Sequence, residues 1–379
     1  MNPTISTLEL PQLASGDRPS IQVYKFSGAQ PGKKAYLQAN LHGAEIVGNA
    51  VIYQLIEILH SLDPEQLVGE IVLVPVCNPF GTNQRSHFYS TGRFNSYNGT
   101  DWNRIFWDYE KECDNLEEFA RSQTNHKPET IRKNYLQKIQ SAFEKQLENF
   151  QTPSSATYNE QYRYQLQSLC LDANYVIDLH SSSNQAIEYL YCFHDREESA
   201  KYFLVDAGVV MKEQEYDGNA FDEAFIKPWL ALERTLAQLG NKVIFDIESW
   251  TLELGSGMKM NPDSVEKGVR GVQNYLAQKG MLKLNKFPLS ETDSHQVNLV
   301  GRSQVKKYYA PAGGMVQNRV ELKSKVEKGE KVYQLLTFNK KGELPTVIEV
   351  RAEKAGLVFD VSTNQAANQG EYVLSIMQL

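Results

Sequence analysis

The chain has few cysteines, and no two of them are close: Cys77, Cys113, Cys170 and Cys192 are spread over 379 residues without one Cys-x-x-Cys pair. That spacing offers neither a thiolate metal site nor a disulfide framework, so free, buried thiols are expected. A run of about 18 apolar residues is also missing, so the chain is not expected to have a membrane as partner. The N-terminus, MNPTISTLELPQLASGDRPS, has neither the basic start nor the apolar stretch of a signal peptide, and a cytoplasmic location is expected from it. Basic clusters are absent too; with a formal net charge of −7 the chain has no general surface for nucleic acid.

What is present is an ordinary globular composition, 41% hydrophobic, in a chain long enough for two or more domains. From Ile21 short apolar runs (IQVYKF, KAYLQANL, GEIVLVPVCNP) alternate with helical stretches, an α/β pattern. The helix near EIVGNAVIYQLIEILHSL is expected to bury Ile46, Ala50, Tyr53 and Ile56 or Glu57 along one face. Between about 108 and 173 the chain turns charged and glutamine-rich, with helical spacing in IRKNYLQKIQSAFEKQLENF, and reads as a helical insertion. The α/β pattern resumes with NYVIDLHSSS, IEYLYCF, a helix around EAFIKPWLALERTLAQLG, a strand KVIFDIES and a helix near PDSVEKGVRGVQNYLAQKG. A first domain over 1–285 and a β-rich second domain over 286–379 follow. The second contains two similar passages, YYAPAGGMVQNRVELKSKVEKGEKVYQL and VIEVRAEKAGLVFDVSTNQAANQGEYVLSI, each strand, Gly turn, strand, Gly turn, strand, which suggests a weak internal duplication.

Three predicted strand ends carry chemistry. NLHGAE places His42 at the end of one strand and Glu45 at the start of a helix, a spacing that can turn both toward one point beyond the sheet. Zinc takes nitrogen and oxygen ligands, three in a typical catalytic site. Taken alone, Glu45 is equally an acid favoured by a helix N-terminus. His180, after the buried run NYVIDL, supplies a third ligand from another strand end. Asp178, two residues earlier on the same strand face, is either a partner for the imidazole or a core carboxylate. A zinc-bound water needs a base, and IFDIESWTLELGSG offers Glu248 and Glu253; Glu253, before the Gly-Ser-Gly turn, is preferred.

In this order NLHGAE, VPVCNPFG, DWNRIF, DLHSSS and LELGSG resemble the succinylglutamate desuccinylase/aspartoacylase family, itself similar in fold to the zinc carboxypeptidases. The resemblance covers roughly residues 20–280, and the tail resembles the family's second domain, a barrel-sandwich module. It implies a mixed sheet flanked by helices and one Zn2+ per chain on His42, Glu45 and His180. It also implies Glu253 as general base and proton shuttle, and Asn103 and Arg104 as a grip on a substrate carboxylate. An arginine fork can hold a carboxylate by two parallel hydrogen bonds, whereas DWNR alone would equally fit a surface ion pair. A further arginine is expected to polarise the scissile carbonyl. The loop NQRSHFYSTGRFNSYNGTDWNR is longer than the family pattern, so Arg85 and Arg93 compete for this role, with Arg93 preferred.

The expected activity is zinc-dependent hydrolysis of the amide bond of an N-acyl amino acid or related small amide, on a small carboxylate-bearing substrate, with a second copy of the chain as a candidate partner. A zinc carboxypeptidase acting on short peptides or peptidoglycan fragments is the nearest alternative. A non-catalytic binding or carrier protein on the same fold is the alternative of another class; Lys354 in RAEKAG is the residue a carrier would use, but it lacks the flanking hairpin of a carrier lysine and reads as a solvated surface lysine. Tyr308 or Tyr309 is a candidate to reach the site from the tail. His60, His87, His126, His194 and His295 are read as surface or packing residues, His87 being of interest for its place in the arginine loop.

Overall fold

The computed structural model describes residues 1–113, 115–150, 152, 156–212, 215–216, 218–289 and 297–378. In chain order, β1 (Thr4–Glu9), β2 (Ser20–Ser27) and β3 (Gln30–Ala39) lead into α1 (Val47–Ser61) and β4 (Val68–Val74). A short α2 (Pro79–Asn83) and a hairpin of β5 (Arg85–Ser86) and β6 (Tyr89–Ser90) precede α3 (Leu116–Gln123), α4 (Pro128–Phe150) and α5 (Tyr158–Ser168). There follow β7 (Tyr175–Ser182), β8 (Gln185–Ala186), β9 (Glu188–Phe193), α6 (Glu197–Ala200), β10 (Ala207–Met211), α7 (Phe221–Gln238), β11 (Glu248–Ser256), α8 (Pro262–Gln278) and β12 (Asn298–Gly301).

Among the described residues nine strands form the main sheet, in the order β1-β2-β4-β3-β7-β11-β9-β10-β12. Its centre, β4, β3, β7 and β11, is parallel, while β9 runs antiparallel to β11, so the sheet is mixed. Both faces of the centre are covered, which is why β7 reads as an unbroken buried run rather than an alternating one. One face carries α1 and α8; the other carries α7 together with α3, α4 and α5 from the inserted region. The Tyr135 hydroxyl of α4 donates to the Pro228 carbonyl of α7 at 3.2 Å, tying the insertion to that layer. β12 lies beyond residue 285 and pairs in parallel with β10, so the main sheet takes in residues on both sides of that position.

α1 turns a different face inward from the one its sequence suggests. Val47, Gly48, Val51, Ile52, Leu55 and Leu59 are buried, whereas Tyr53 is 61% exposed. The stripe is one residue out of frame with Ile46, Ala50 and Tyr53, and it is richer in branched aliphatics, each worth about 1.5–3 kcal/mol when buried. α8 starts as its sequence predicts: the Asn261 side chain accepts from the Asp263 N–H and Pro262 opens the first turn.

Of the expected strand KVIFDIES only Glu248 and Ser249 are in a strand, where β11 begins; residues 242–247 are not. Val243, Phe245 and Ile247 are buried in alternation, as a strand would bury them. Their backbone is satisfied by side chains instead: Arg196 donates to the carbonyls of Phe245 and Ile247, and Glu233 accepts from the Phe245 N–H. Three cysteines are buried and Cys113 is half-buried, all of them free. No helix among the described residues is long and apolar enough to cross a membrane.

After β12 come β13 (Val305–Tyr309), β14 (Gly314–Gln317), β15 (Lys325–Val326), β16 (Lys331–Thr337), β17 (Thr346–Arg351), β18 (Gly356–Val361), β19 (Ala366–Ala367) and β20 (Tyr372–Met377). They form two sheets, ordered β13-β20-β18-β15 and β17-β16-β14-β19. Exchanging β13 to β16 with β17 to β20 maps one order onto the other, so each repeated passage contributes two strands to each sheet. The duplication in the sequence is thus a duplication of topology. β8 joins this strand-rich unit to the main body by pairing with β18.

Candidate metal centre

The site lies at the carboxyl ends of three neighbouring parallel strands, β3, β7 and β11. His180 is in β7, and Glu253 is its register partner in β11. His42 follows β3 through a tight turn. Asn40 makes that turn, with φ of 67°, and its Nδ2 donates toward the carbonyls of His42, Gly43 and Glu45 at 3.1–3.3 Å. Gly43 is required by close approach of the chain: a Cβ there would lie 1.8 Å from the Gly81 carbonyl oxygen. Glu45 sits two residues ahead of α1, not in its first turn.

His42, Glu45 and His180 are all buried, and their candidate ligand atoms lie within 4.8 Å of one another. His42 Nδ1 is 2.9 Å from Glu45 Oε1, and His180 Nδ1 is 2.7 Å from Glu45 Oε2. The far nitrogens are held by other carboxylates: His180 Nε2 by Asp178 at 2.9 Å and His42 Nε2 by Asp101 at 2.9 Å. A neutral imidazole that donates through Nε2 presents a lone pair at Nδ1, so both rings face the same point as ligands. Two imidazole nitrogens and a carboxylate are a donor set suited to zinc with a position left for water. Asp178 has the partner role open to it from the sequence. Asp101 was not singled out there; its only signal was its position at the head of DWNR, since it meets His42 through a loop rather than along a strand.

The electrostatics follow from this crowding. Burial opposes a charge on His42, but Glu45 and Asp101 raise its pKa above the ordinary value. Burial opposes His180 likewise, and Asp178 and Glu45 hold it well above. Burial pushes Glu45 up, yet the two imidazoles draw it well below the usual carboxylate range. Asp101, against its own burial, is drawn down to about 2 by His42 and Arg93. Glu253 goes the other way: burial, then the Glu45 charge, raises it to about 7. Its Oε2 is buried with no hydrogen-bond partner among the described residues. Glu248, at the opposite end of β11, accepts from Ser199, Tyr275 and Lys279 at 2.5–2.8 Å and so has a structural place.

The two candidate arginines differ in surroundings. Arg93 reaches the cluster, with Nε 3.1 Å from Asp101 and Nη1 3.6 Å from Glu45 and 3.3 Å from Ser183 Oγ. Arg85 donates to the Thr82 and Gln84 carbonyls at 2.6 and 2.9 Å. Arg104 is exposed, donates to the Asn103 carbonyl and has no acidic partner within 4 Å among the described residues. Asn103 is buried; its Oδ1 accepts from the Phe221 N–H at 2.8 Å and its Nδ2 lies 3.5 Å from His180 Nε2.

The tail tyrosines are engaged elsewhere: Tyr308 accepts from the Glu353 N–H inside the tail core, and Tyr309 faces Tyr372. Lys354 is exposed between β17 and β18, which are not paired with each other, so it is not at a hairpin tip. His87 packs its ring against Phe88, His60 faces the Met1 carbonyl, His194 faces Asp195 and His126 is exposed. His295 lies outside the described residues.

Solved structures share this architecture. A protein assigned to the succinylglutamate desuccinylase/aspartoacylase family from Shewanella amazonensis SB2B is 27% identical, with a TM-score of 0.86, over 99% of this chain and 98% of that one. A protein assigned likewise from Shewanella frigidimarina NCIMB 400 is 23% identical, with a TM-score of 0.88, over 100% and 97%. The ectoine utilization protein EutE (DoeB) from Ruegeria pomeroyi, in a product-bound structure, is 16% identical, with a TM-score of 0.68, over 100% and 96%. No curated protein gives a significant match. Residues 31–278 match the succinylglutamate desuccinylase/aspartoacylase catalytic domain, and the chain therefore belongs to this family of hydrolases.

Proposed function

We propose that the protein is a zinc-dependent deacylase that hydrolyses the amide bond of a small, carboxylate-bearing N-acyl amino acid or related amide. The observation that carries this reading is Glu253: a carboxylate of raised pKa, with one oxygen unpartnered, on the strand beside His180. His42, Glu45 and His180 would hold the zinc, with Asp101 and Asp178 fixing the imidazoles.

Zinc held there would act as a Lewis acid and bring the pKa of a bound water toward ~7. Glu253 accepts the proton of the attacking water and later delivers it to the leaving amine nitrogen. Arg93 donates to the carbonyl oxygen as negative charge develops on it. Arg104, which has no acid of its own, takes the substrate carboxylate, with the Asn103 amide beside it as a further donor.

The test is a panel of N-acetyl and N-succinyl amino acids set against C-terminal dipeptides, with zinc analysis of the same preparation. Release of the free amine from the N-acyl set supports the reading. Preference for dipeptides would move the protein to the carboxypeptidase alternative, and absence of both metal and turnover would leave the non-catalytic one.

A further inference from the structure

We propose that Asp360, in the C-terminal strand-rich unit, is a positioning residue for Arg93, acting through the segment Ser181–Asn184; this rests on the part given to Arg93 above. The segment follows His180 directly and has two faces. On one, the Ser181 N–H donates to Glu45 Oε2 at 3.3 Å and Ser183 Oγ lies 3.3 Å from Arg93 Nη1. On the other, the Ser182 hydroxyl donates to Asp360 Oδ2 at 2.5 Å and Asn184 Nδ2 donates to Asp360 Oδ1 at 3.3 Å. Residues 181 and 183 thus touch the metal cluster while 182 and 184 touch the tail, across the bend in which β7 ends, where the Asn184 N–H donates to the Ser182 hydroxyl at 3.1 Å.

Asp360 is itself fixed. It is 7% exposed, and the Tyr372 hydroxyl donates to its Oδ1 at 2.5 Å. Its backbone belongs to β18, which pairs with β8 in the register Asp360↔Ala186, directly after the segment. The Ile187 N–H donates to the Phe359 carbonyl at 3.0 Å, extending that clamp. The other end is held where the Gly257 N–H donates to the Ser182 carbonyl at 2.7 Å.

Arg93 needs such a guide because its long side chain is 40% exposed, and its other side-chain contacts lie within the cluster itself: the Asp101 and Glu45 carboxylates and, at 3.4 Å, His42 Nδ1. Ser183 is the contact from outside that cluster that selects one approach, and Ser183 is placed by its neighbours' bonds to Asp360. The strand-rich unit thereby sets the geometry of the catalytic cluster without contributing an atom to it.

The experiment uses the zinc-loaded full chain and two single variants, Asp360→Asn and Ser182→Ala, so that a folding failure in one leaves the other. Phenylglyoxal labelling, read peptide by peptide by mass spectrometry, reports the freedom of Arg93 independently of any substrate, with exposed Arg121 as the internal standard. The proposal expects Arg93 to label several-fold faster in both variants while Arg121 is unchanged. For the N-acyl amino acid selected by the panel, kcat is expected to fall roughly ten- to a hundredfold with little change in KM, as for a slightly misplaced group. In an Arg93→Ala background, Asp360→Asn is expected to add no further loss. Unchanged Arg93 labelling, or full additivity with Arg93→Ala, overturns the proposal. Faster labelling together with a fully active Arg93→Ala protein would uphold the placement of Arg93 and overturn its catalytic part instead.

Discussion

His42 and Asp101 are 59 residues apart in the chain, and their side chains meet at 2.9 Å, Nε2 to Oδ1. The contact fixes the ring so that Nδ1 faces Glu45 and His180. Asp101→Asn keeps the volume but loses the charge and can present an N–H to the ring nitrogen. The expected outcome is a zinc affinity lower by about 10–100-fold with an unchanged fold, measured by competition with a chelator of known affinity.

Glu253→Gln is expected to retain the metal and lose hydrolysis by about 10²–10⁴-fold in kcat, because an amide can neither take the proton from water nor deliver one to the amine. Steady-state rates beside metal analysis of the same protein check both halves. Parent-like kcat in the variant would remove Glu253 from the chemistry.

The arginines separate by where their guanidinium groups point. Arg93→Ala is expected to lower kcat by about 10²–10³-fold, the usual cost of one oxyanion donor. Arg85→Ala is expected to stay near parent, since Arg85 donates to the Thr82 and Gln84 carbonyls. Arg104→Ala is expected to act on KM, through the substrate carboxylate. Equal losses in kcat for Arg85→Ala and Arg93→Ala would contradict this division.

The raised pKa values of His42 and His180 give the pH dependence its sign. In chelator-treated protein these imidazoles hold their protons to higher pH than an ordinary histidine, and zinc must compete with those protons. Zinc affinity is therefore expected to rise with pH and uptake to release protons, which calorimetry in buffers of different ionisation enthalpy detects. The stability contributed by the charged imidazoles is complete below the ordinary histidine value and is lost as pH rises through the raised ones. Glu253 adds in the same sense as pH climbs from its ordinary value to about 7. Chelator-treated protein should therefore melt at lower temperature as the pH is raised past neutrality, and zinc should restore it. A metal-free melting temperature that climbs with pH there would contradict this assignment.

The strand ends that carry His42, His180 and Glu253 were legible because local patterns mark them: a buried run, then small or polar residues. Contacts made through loops were not legible. Asp101 meets His42, and Ser183 meets Arg93, only after the segment from Gln84 to Thr100 has folded back over the turn at Gly43. Local apolar pattern also misleads where side chains replace a neighbouring strand, as Arg196 and Glu233 do for residues 245–247. In α1 two apolar rows run side by side, and the packing of Val51 and Leu55 against the sheet chose between them. The repeated passages of the tail were visible as a pattern, but the exchange of strands between two sheets was not, because pairing between distant segments leaves no local mark.

The most direct measurement is a zinc titration of chelator-treated protein that follows amine release from the panel of N-acyl amino acids. The account predicts hydrolysis that appears with zinc and saturates at one equivalent per chain. Hydrolysis that proceeds undiminished in chelated protein, or a protein that takes up no zinc, would contradict it.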